Sequence, residues 1–363
     1  MTVFEIDGAF PIQYDKHAGR QNGQTDEEGV VTLIKFILRR ILLMIPVLFG
    51  VIFIVFTINR MTPGDPTLTI LGADATEEQY EQLREELGLN DPFFVQFFDY
   101  MKGLLTEFDL GTSYTTRRSV SDEILERFPT TLRLGLIGVF ITVLIGIPFG
   151  VISATRQYTL MDYGVTLISM FFAAMPNFWL ALMMMLLFSL KLKWFPASGL
   201  DSWKGWVMPC LALGLSPVAT VTRLTRSSML EVIRQDYIRT ARAKGVSEFQ
   251  VVSHHALRNA LIPVITTVGI QLGHIMAGSV VIESIFGVQG IGMLMVNAIN
   301  NKNYPVVQGC VLLLSMSVCV INLVIDLLYS FIDPRIKAQI VAGKPKGGTP
   351  SKAKRTEEQQ EVA

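Results

Sequence analysis

The amino-acid sequence predicts an all-α membrane protein with six spanning helices. Three observations carry that expectation. Half of the 363 residues are hydrophobic, only 17% are charged, and mean hydropathy is +0.42, where soluble domains carry roughly 25% charged residues. The apolar residues gather in six blocks, on the scale of the roughly 20 residues that a helix needs to cross hydrocarbon. Alternation at period two is absent, which argues against a β-barrel. Helices close their own backbone hydrogen bonds where lipid offers no partner.

Residues 1–32 read as a polar tail, with Asp7, Asp15, Asp26, Glu27 and Glu28 in place of the basic start of a signal peptide. The first span falls in 33–58, with its apolar core at Ile41–Ile58. Residues 59–131 read as a small external helical segment. Pro63-Gly64-Asp65-Pro66 ends the first span. Thr76 and Gln79 have capping-box spacing. Asp91 is expected to cap the next helix, with Pro92 at its first position. Phe93, Phe94, Phe97, Phe98, Met101, Leu104 and Leu105 then form an apolar stripe at helical spacing. That stripe either packs on neighbouring helices or forms a platform for a docking partner.

Residues 132–336 form the core, with five further spans. Their apolar runs are Leu134–Ala154, Val165–Leu190, Val207–Val221, Leu261–Ile282 and Val306–Ile332. The third span of the six is long and holds Pro176-Asn177, and the fourth is short and interrupted by Pro209 and Pro217. Residues 337–363 read as a second polar tail. Lys and Arg gather on one side, at Arg39, Arg40, Arg156, Arg223–Arg258 and Arg335. Because cytoplasmic loops carry the cationic excess, both termini are expected in the cytoplasm.

Several function classes fall away. A net charge of zero supplies no basic field for nucleic acid. Cys210, Cys310 and Cys319 are odd in number and each lies in an apolar stretch, so they read as small hydrophobes. His254, His255 and His274 are too few and scattered for a metal site. No convergent nucleophile, base or metal set suggests an enzyme.

The segment 222–261 lies between the fourth and fifth spans and is rich in Arg. Glu231–Lys244 has helical composition, and Gly245 suits the left-handed position that ends a helix. Ser247 and Gln250 have capping-box spacing for a second helix. The expected product is a sharp, exposed corner at Gly245-Val246-Ser247. Such a corner suits contact with another subunit; a basic loop held at anionic headgroups is the alternative.

Tyr237-Ile238-Arg239-Thr240-Ala241-Arg242-Ala243-Lys244-Gly245, followed by His255 to Pro263, resembles the coupling loop of ABC importer permeases. Pro63 to Pro66, Gly111-Thr112-Ser113-Tyr114, Trp194 to Gly199 and Asp333-Pro334-Arg335-Ile336 resemble the dipeptide, oligopeptide and nickel branch of that family. The general motif opens Glu-Ala-Ala. Here Arg239 and Thr240 stand at its first two places, a feature usual in the branch.

The resemblance implies the ABC importer permease fold in a bacterial cytoplasmic membrane. It implies a second permease chain, two ATP-binding subunits that carry ATP and Mg, and an external binding protein that delivers a short peptide. Tyr237, Arg239 to Arg242 and Lys244 to Ser247 would form the contact with the ATPases. The same machinery could carry nickel or another small solute. A stand-alone secondary transporter would show inverted repeats, and none is evident. The sequence has no G-x-x-x-x-G-K-[ST] run, so a phosphate-cradling loop is expected on another chain.

Polar groups inside the spans are costly and mark either a wet path or interhelical bonding. Gln271, His274, Glu283 and Asn177 are the candidates for a translocation path. Phe286, Gly287 and Gly290 lie in a glycine-spaced turn that is either an external gate or an ordinary hairpin before a short helix at Met293–Ile299.

Overall fold

The computed structural model describes residues 18–72 and 74–332, with side chains described for 34–72 and 74–328. The described residues fall into two units, the stretch up to Leu43 and Met44–Ile332. The described chain is helical, with one isolated antiparallel bridge between Thr112 and Ser119.

Helix α1 covers Ala18–Met61. It begins inside the stretch expected to be a tail. No proline lies between Ala18 and Ile45 to interrupt it. Residues 1–17 and the tail 337–363 lie outside the described residues.

Short helices α2 (Pro66–Leu71), α3 (Glu77–Glu86) and α4 (Phe93–Thr106) follow. The capping box forms: Gln79 N–H donates to Thr76 Oγ1 at 3.4 Å and Thr76 N–H donates to Gln79 Oε1 at 2.9 Å. Asp91 is not the cap of α4, because the helix starts one residue later than expected, with Pro92 at its N-cap. Asp91 instead offers its carbonyl to Gln96 Nε2 at 2.6 Å. Asp65 caps α2 by accepting from Thr67 N–H at 2.8 Å, and it also accepts from Arg84 Nε of α3 at 2.7 Å.

The phenylalanine stripe packs on α1. Phe97 is buried against Phe56 and Phe53, with ring centroids 5.3 and 5.4 Å apart in edge-to-face geometry. Phe94, Phe98 and Leu105 remain exposed on the other side of α4.

Helix α5 runs over Val120–Thr155, so its first turns lie within the segment expected to be external. The third span is not one helix. It consists of α6 (Leu160–Ala174) and α7 (Asn177–Met184), with a π-helical turn at Met185–Lys191, and the two halves meet at 98°. The fourth is α8 (Trp203–Leu215) and α9 (Val218–Ile233), bent by 50°. Proline cannot donate to the preceding turn, so Pro176 and Pro217 mark these breaks.

Helix α9 therefore continues well into the segment read as a loop. Small residues fix both α8 and α9 against α5. A Cβ on Gly150 would stand 2.4 Å from Thr225 Cβ, and one on Gly214 would stand 2.6 Å from the Gly138 carbonyl. Thr142 Oγ1 donates across this seam to the Gly214 carbonyl at 2.7 Å.

Helix α10 is Asp236–Ala243 and α11 is Glu248–Gln250. A π-helical turn at Val251–Ala256 leads into α12 (Leu257–Ile285). Helix α13 (Ile291–Asn300) and α14 (Tyr304–Ile332) complete the described chain. Among the described residues, four helices are long and apolar enough to cross a membrane, and the two bent pairs bring the number to as many as six. The single helix expected over Glu231–Lys244 is interrupted at Arg234-Gln235, where α9 ends and α10 starts.

Candidate functional site

The corner forms where the sequence places it. Gly245 has φ +79°, a conformation that costs an L side chain roughly 1–2 kcal/mol. Its N–H donates to the Arg242 carbonyl at 3.0 Å, and Val246 N–H donates to the Ala241 carbonyl at 3.3 Å. These two bonds make a Schellman ending to α10, which satisfies carbonyls that the helix leaves free. Ser247 precedes α11 in extended backbone, but its side chain makes no capping bond, so the expected box with Gln250 does not form. Arg242 replaces it as the clasp: its Nε and Nη2 donate to the Glu248 carboxylate at 3.1 and 2.7 Å. That bond holds the Glu248 carboxyl below its ordinary value of 4.5, against a smaller burial cost.

The inner side of the corner is closed. Ile238 and Val251 are fully buried among Met229, Ala256 and Ala260. Tyr237 Oη accepts from Asn259 Nδ2 at 2.8 Å, tying α10 to α12. The outer side is open. Arg239, Thr240, Arg242, Lys244, Gly245 and Ser247 are exposed, while Ala241 and Val246 are half-buried. A Cβ on Gly245 would meet nothing within 4 Å. Phe249 is 81% exposed. It was not among the residues read from the sequence, although it is the one aromatic between Gly245 and Val251.

Next to the corner, Asp162 of α6 joins three helices. It accepts from Arg226 Nη2 of α9 at 2.9 Å and from Tyr158 N–H at 3.0 Å, and Ser153 Oγ of α5 donates to it. A cavity of about 870 Å³ opens between α6 and α9, lined by Arg223, Arg226 and Arg234.

The path candidates divide into two sets. Gln271 and His274 lie on one face of α12, with Gly278 one turn beyond. Asn177 at the start of α7 approaches that face, its Nδ2 4.0 Å from the place of a Cβ on Gly278. Glu283 is 0% exposed and turned away from them. It accepts from Thr131 Oγ1 of α5 at 2.8 Å, Ser279 Oγ at 3.1 Å, Gly292 N–H at 2.7 Å and Met293 N–H at 3.2 Å. Enclosed this way, Glu283 lines no path in this conformation; it ties α5, α12 and α13 together.

The gate reading needs the same correction. Phe286 is 2% exposed and packs in the main apolar cluster. Its carbonyl accepts from Gly199 N–H at 3.1 Å. Gly287 has φ +61°. Gly290 is pressed against the knot, since a Cβ there would lie 2.4 Å from Glu283 Oε2. The turn is an anchored part of the core, not a free lid. Among the described residues, no three His, Cys, Asp or Glu side chains come together as metal ligands.

Residues 146–338 match the family described as binding-protein-dependent transport system inner membrane component, and residues 33–135 match its N-terminal membrane component. The chain belongs to this family of binding-protein-dependent transport components. The corner from α10 to α11 and the Asp162 junction lie within the first match, and the Glu283 knot draws Thr131 from the second. The dipeptide transport system permease protein DppB of Alkalihalophilus pseudofirmus is 41% identical, over 84% of this chain and 100% of that protein. The di/tripeptide permease DppB of Pseudomonas aeruginosa is 40% identical, over 85% and 100%. The oligopeptide permease AppB of Bacillus subtilis is 40% identical, over 83% and 99%. The family makes this chain an inner membrane component of a transport system.

Proposed function

We propose that this permease is one membrane half of an ATP-driven importer for short peptides. A second permease completes the pathway, two ATPase subunits carry ATP and Mg, and an external binding protein delivers the solute. The Arg-rich end of the bundle faces the cytoplasm, as do both termini. The segment 59–131 then lies outside, 132–336 is the working core, and 337–363 is a cytoplasmic tail.

The observation that carries this reading is the two-sidedness of the corner. Its inner face is locked into the bundle through Ile238 and Val251, while Gly245 and Phe249 are left open. A rigid, exposed elbow transmits a push to the helices behind it, and α9 and α12 lead directly from it. Peptide solutes are supported by the names of the dipeptide, di/tripeptide and oligopeptide relatives. The face of Gln271, His274 and Asn177 is the proposed lining of the path.

The test is Gly245→Trp in the assembled transporter. Membrane insertion should persist while ATP hydrolysis becomes uncoupled from peptide uptake. Normal ATP-driven uptake in this variant would show that the corner is not the contact. Replacing Gln271 and His274 by Leu should alter uptake kinetics; unchanged kinetics would remove them from the path.

A further inference from the structure

At the end of the bundle away from the corner, α1 closes with Asn59 and Arg60 beside α3 and α4. Two small cavities meet there, of about 220 and 270 Å³, and Arg60 and Tyr304 border both. Among the described residues, four buried side-chain polar atoms lack a hydrogen-bond partner, and three of them border this cleft: Asn59 Nδ2, Gln96 Oε1 and Tyr100 Oη. Buried polar groups are almost always satisfied, so such a cluster calls for a partner.

The unpaired groups have opposite characters. Asn59 is 8% exposed and offers a donor. Arg60 is half-buried, stacks its guanidinium over Phe56 at 5.5 Å, and makes no hydrogen bond or ion pair with a described residue. Burial pushes the Tyr100 hydroxyl up to about 12, which keeps it protonated. Gln96 spends its Nε2 on the Leu89 and Asp91 carbonyls at 3.2 and 2.6 Å, so its Oε1 is left as an acceptor. Asp91 and Asp99 border the same cavity as Gln96. One side therefore awaits a carboxylate, which a guanidinium binds well. The other awaits an ammonium.

We infer that this cleft binds a small zwitterion of the α-amino acid class, its carboxylate at Arg60 and Asn59 and its ammonium near Gln96, Asp91 and Asp99. The two cavities are at or below the small end of ligand pockets, which suits one amino acid and excludes a folded partner. Tyr114 and Tyr304 line the same cavity as Arg60. The site lies apart from the Gln271 face and from the corner.

The test uses the protein in lipid nanodiscs with its co-purifying subunits, titrated calorimetrically with L-leucine, acetate and n-butylamine. Leucine should bind, with each single-charge probe at least about tenfold weaker. Arg60→Gln should weaken leucine at least about tenfold. Asn59→Asp places a carboxylate beside Arg60, so it should abolish leucine binding while leaving the melting temperature unchanged or higher, a result that misfolding would not produce. No leucine binding at about 10 mM would leave the cleft filled by water only and overturn the inference. Leucine binding that survives Asn59→Asp, or acetate binding as tight as leucine, would overturn it as well.

Discussion

The two ends of α12 use glycine in opposite ways. Beyond its carboxyl end, Gly290 and Gly292 are buried, and an added Cβ would stand 2.4 Å from Glu283 Oε2 and from Val280 Cα respectively. Before its amino end, Gly245 is surrounded by open space and is fixed only by its positive φ. The first pair serves packing inside the chain. The second serves a turn whose outer face has no neighbour among the described residues. A glycine demanded by packing marks a finished interior, whereas one demanded by backbone alone, on an open rigid corner, marks a surface ready for another molecule.

Glu283→Leu should have the largest effect. It leaves Thr131 and the Gly292 and Met293 amides without their acceptor, at about 1–3 kcal/mol for each buried group. Thermal unfolding in detergent should fall by many degrees. A melting temperature within a degree of wild type would mean that the knot is not a structural tie. Gly292→Ala follows, because its Cβ meets backbone that cannot rotate away; overpacking of this kind costs about 1–3 kcal/mol. The same thermal assay should rank it below Glu283→Leu and above any change at the corner.

Gly245→Ala should cost about 1–2 kcal/mol, since the strain is in φ and not in contacts. Its effect on unfolding of the chain should be smaller than that of Gly292→Ala. Equal losses at the two glycines would erase the distinction between the ends of α12.

Glu248→Gln should have the smallest effect, a few tenths of a kcal/mol, because the Glu248 side chain is 63% exposed. Arg242 lowers the Glu248 carboxyl in the folded state. The clasp therefore stabilises at pH above the ordinary 4.5 and is lost as pH falls through the folded value. Amide exchange at Val246 and Ser247 should differ between wild type and Glu248→Gln at neutral pH, and the difference should close in acid. A difference that widened in acid would contradict the sign.

Much of this was legible in one dimension. Apolar runs located the long apolar helices, because a bilayer imposes length and composition locally. Thr76 with Gln79 and the left-handed Gly245 followed from backbone groups that helix ends leave free. The errors are also local: Asp91 missed the cap by one residue, and Ser247 ceded its role to the Arg242–Glu248 clasp.

Local sequence was enough to place most of the long apolar helices and the turn at Gly245, since each rests on neighbours within a few residues; it missed the helical start at Ala18 and the break at Arg234-Gln235. Only the tertiary structure decided that Pro176 opens a 98° bend, that Asp162 meets Arg226, and that Glu283 belongs to Thr131, 152 positions away. Helix periodicity tells which side of a helix a residue occupies, but not which distant helix that side will face. That choice is made when close approach at residues such as Gly150 and Gly214 fixes how the helices pack.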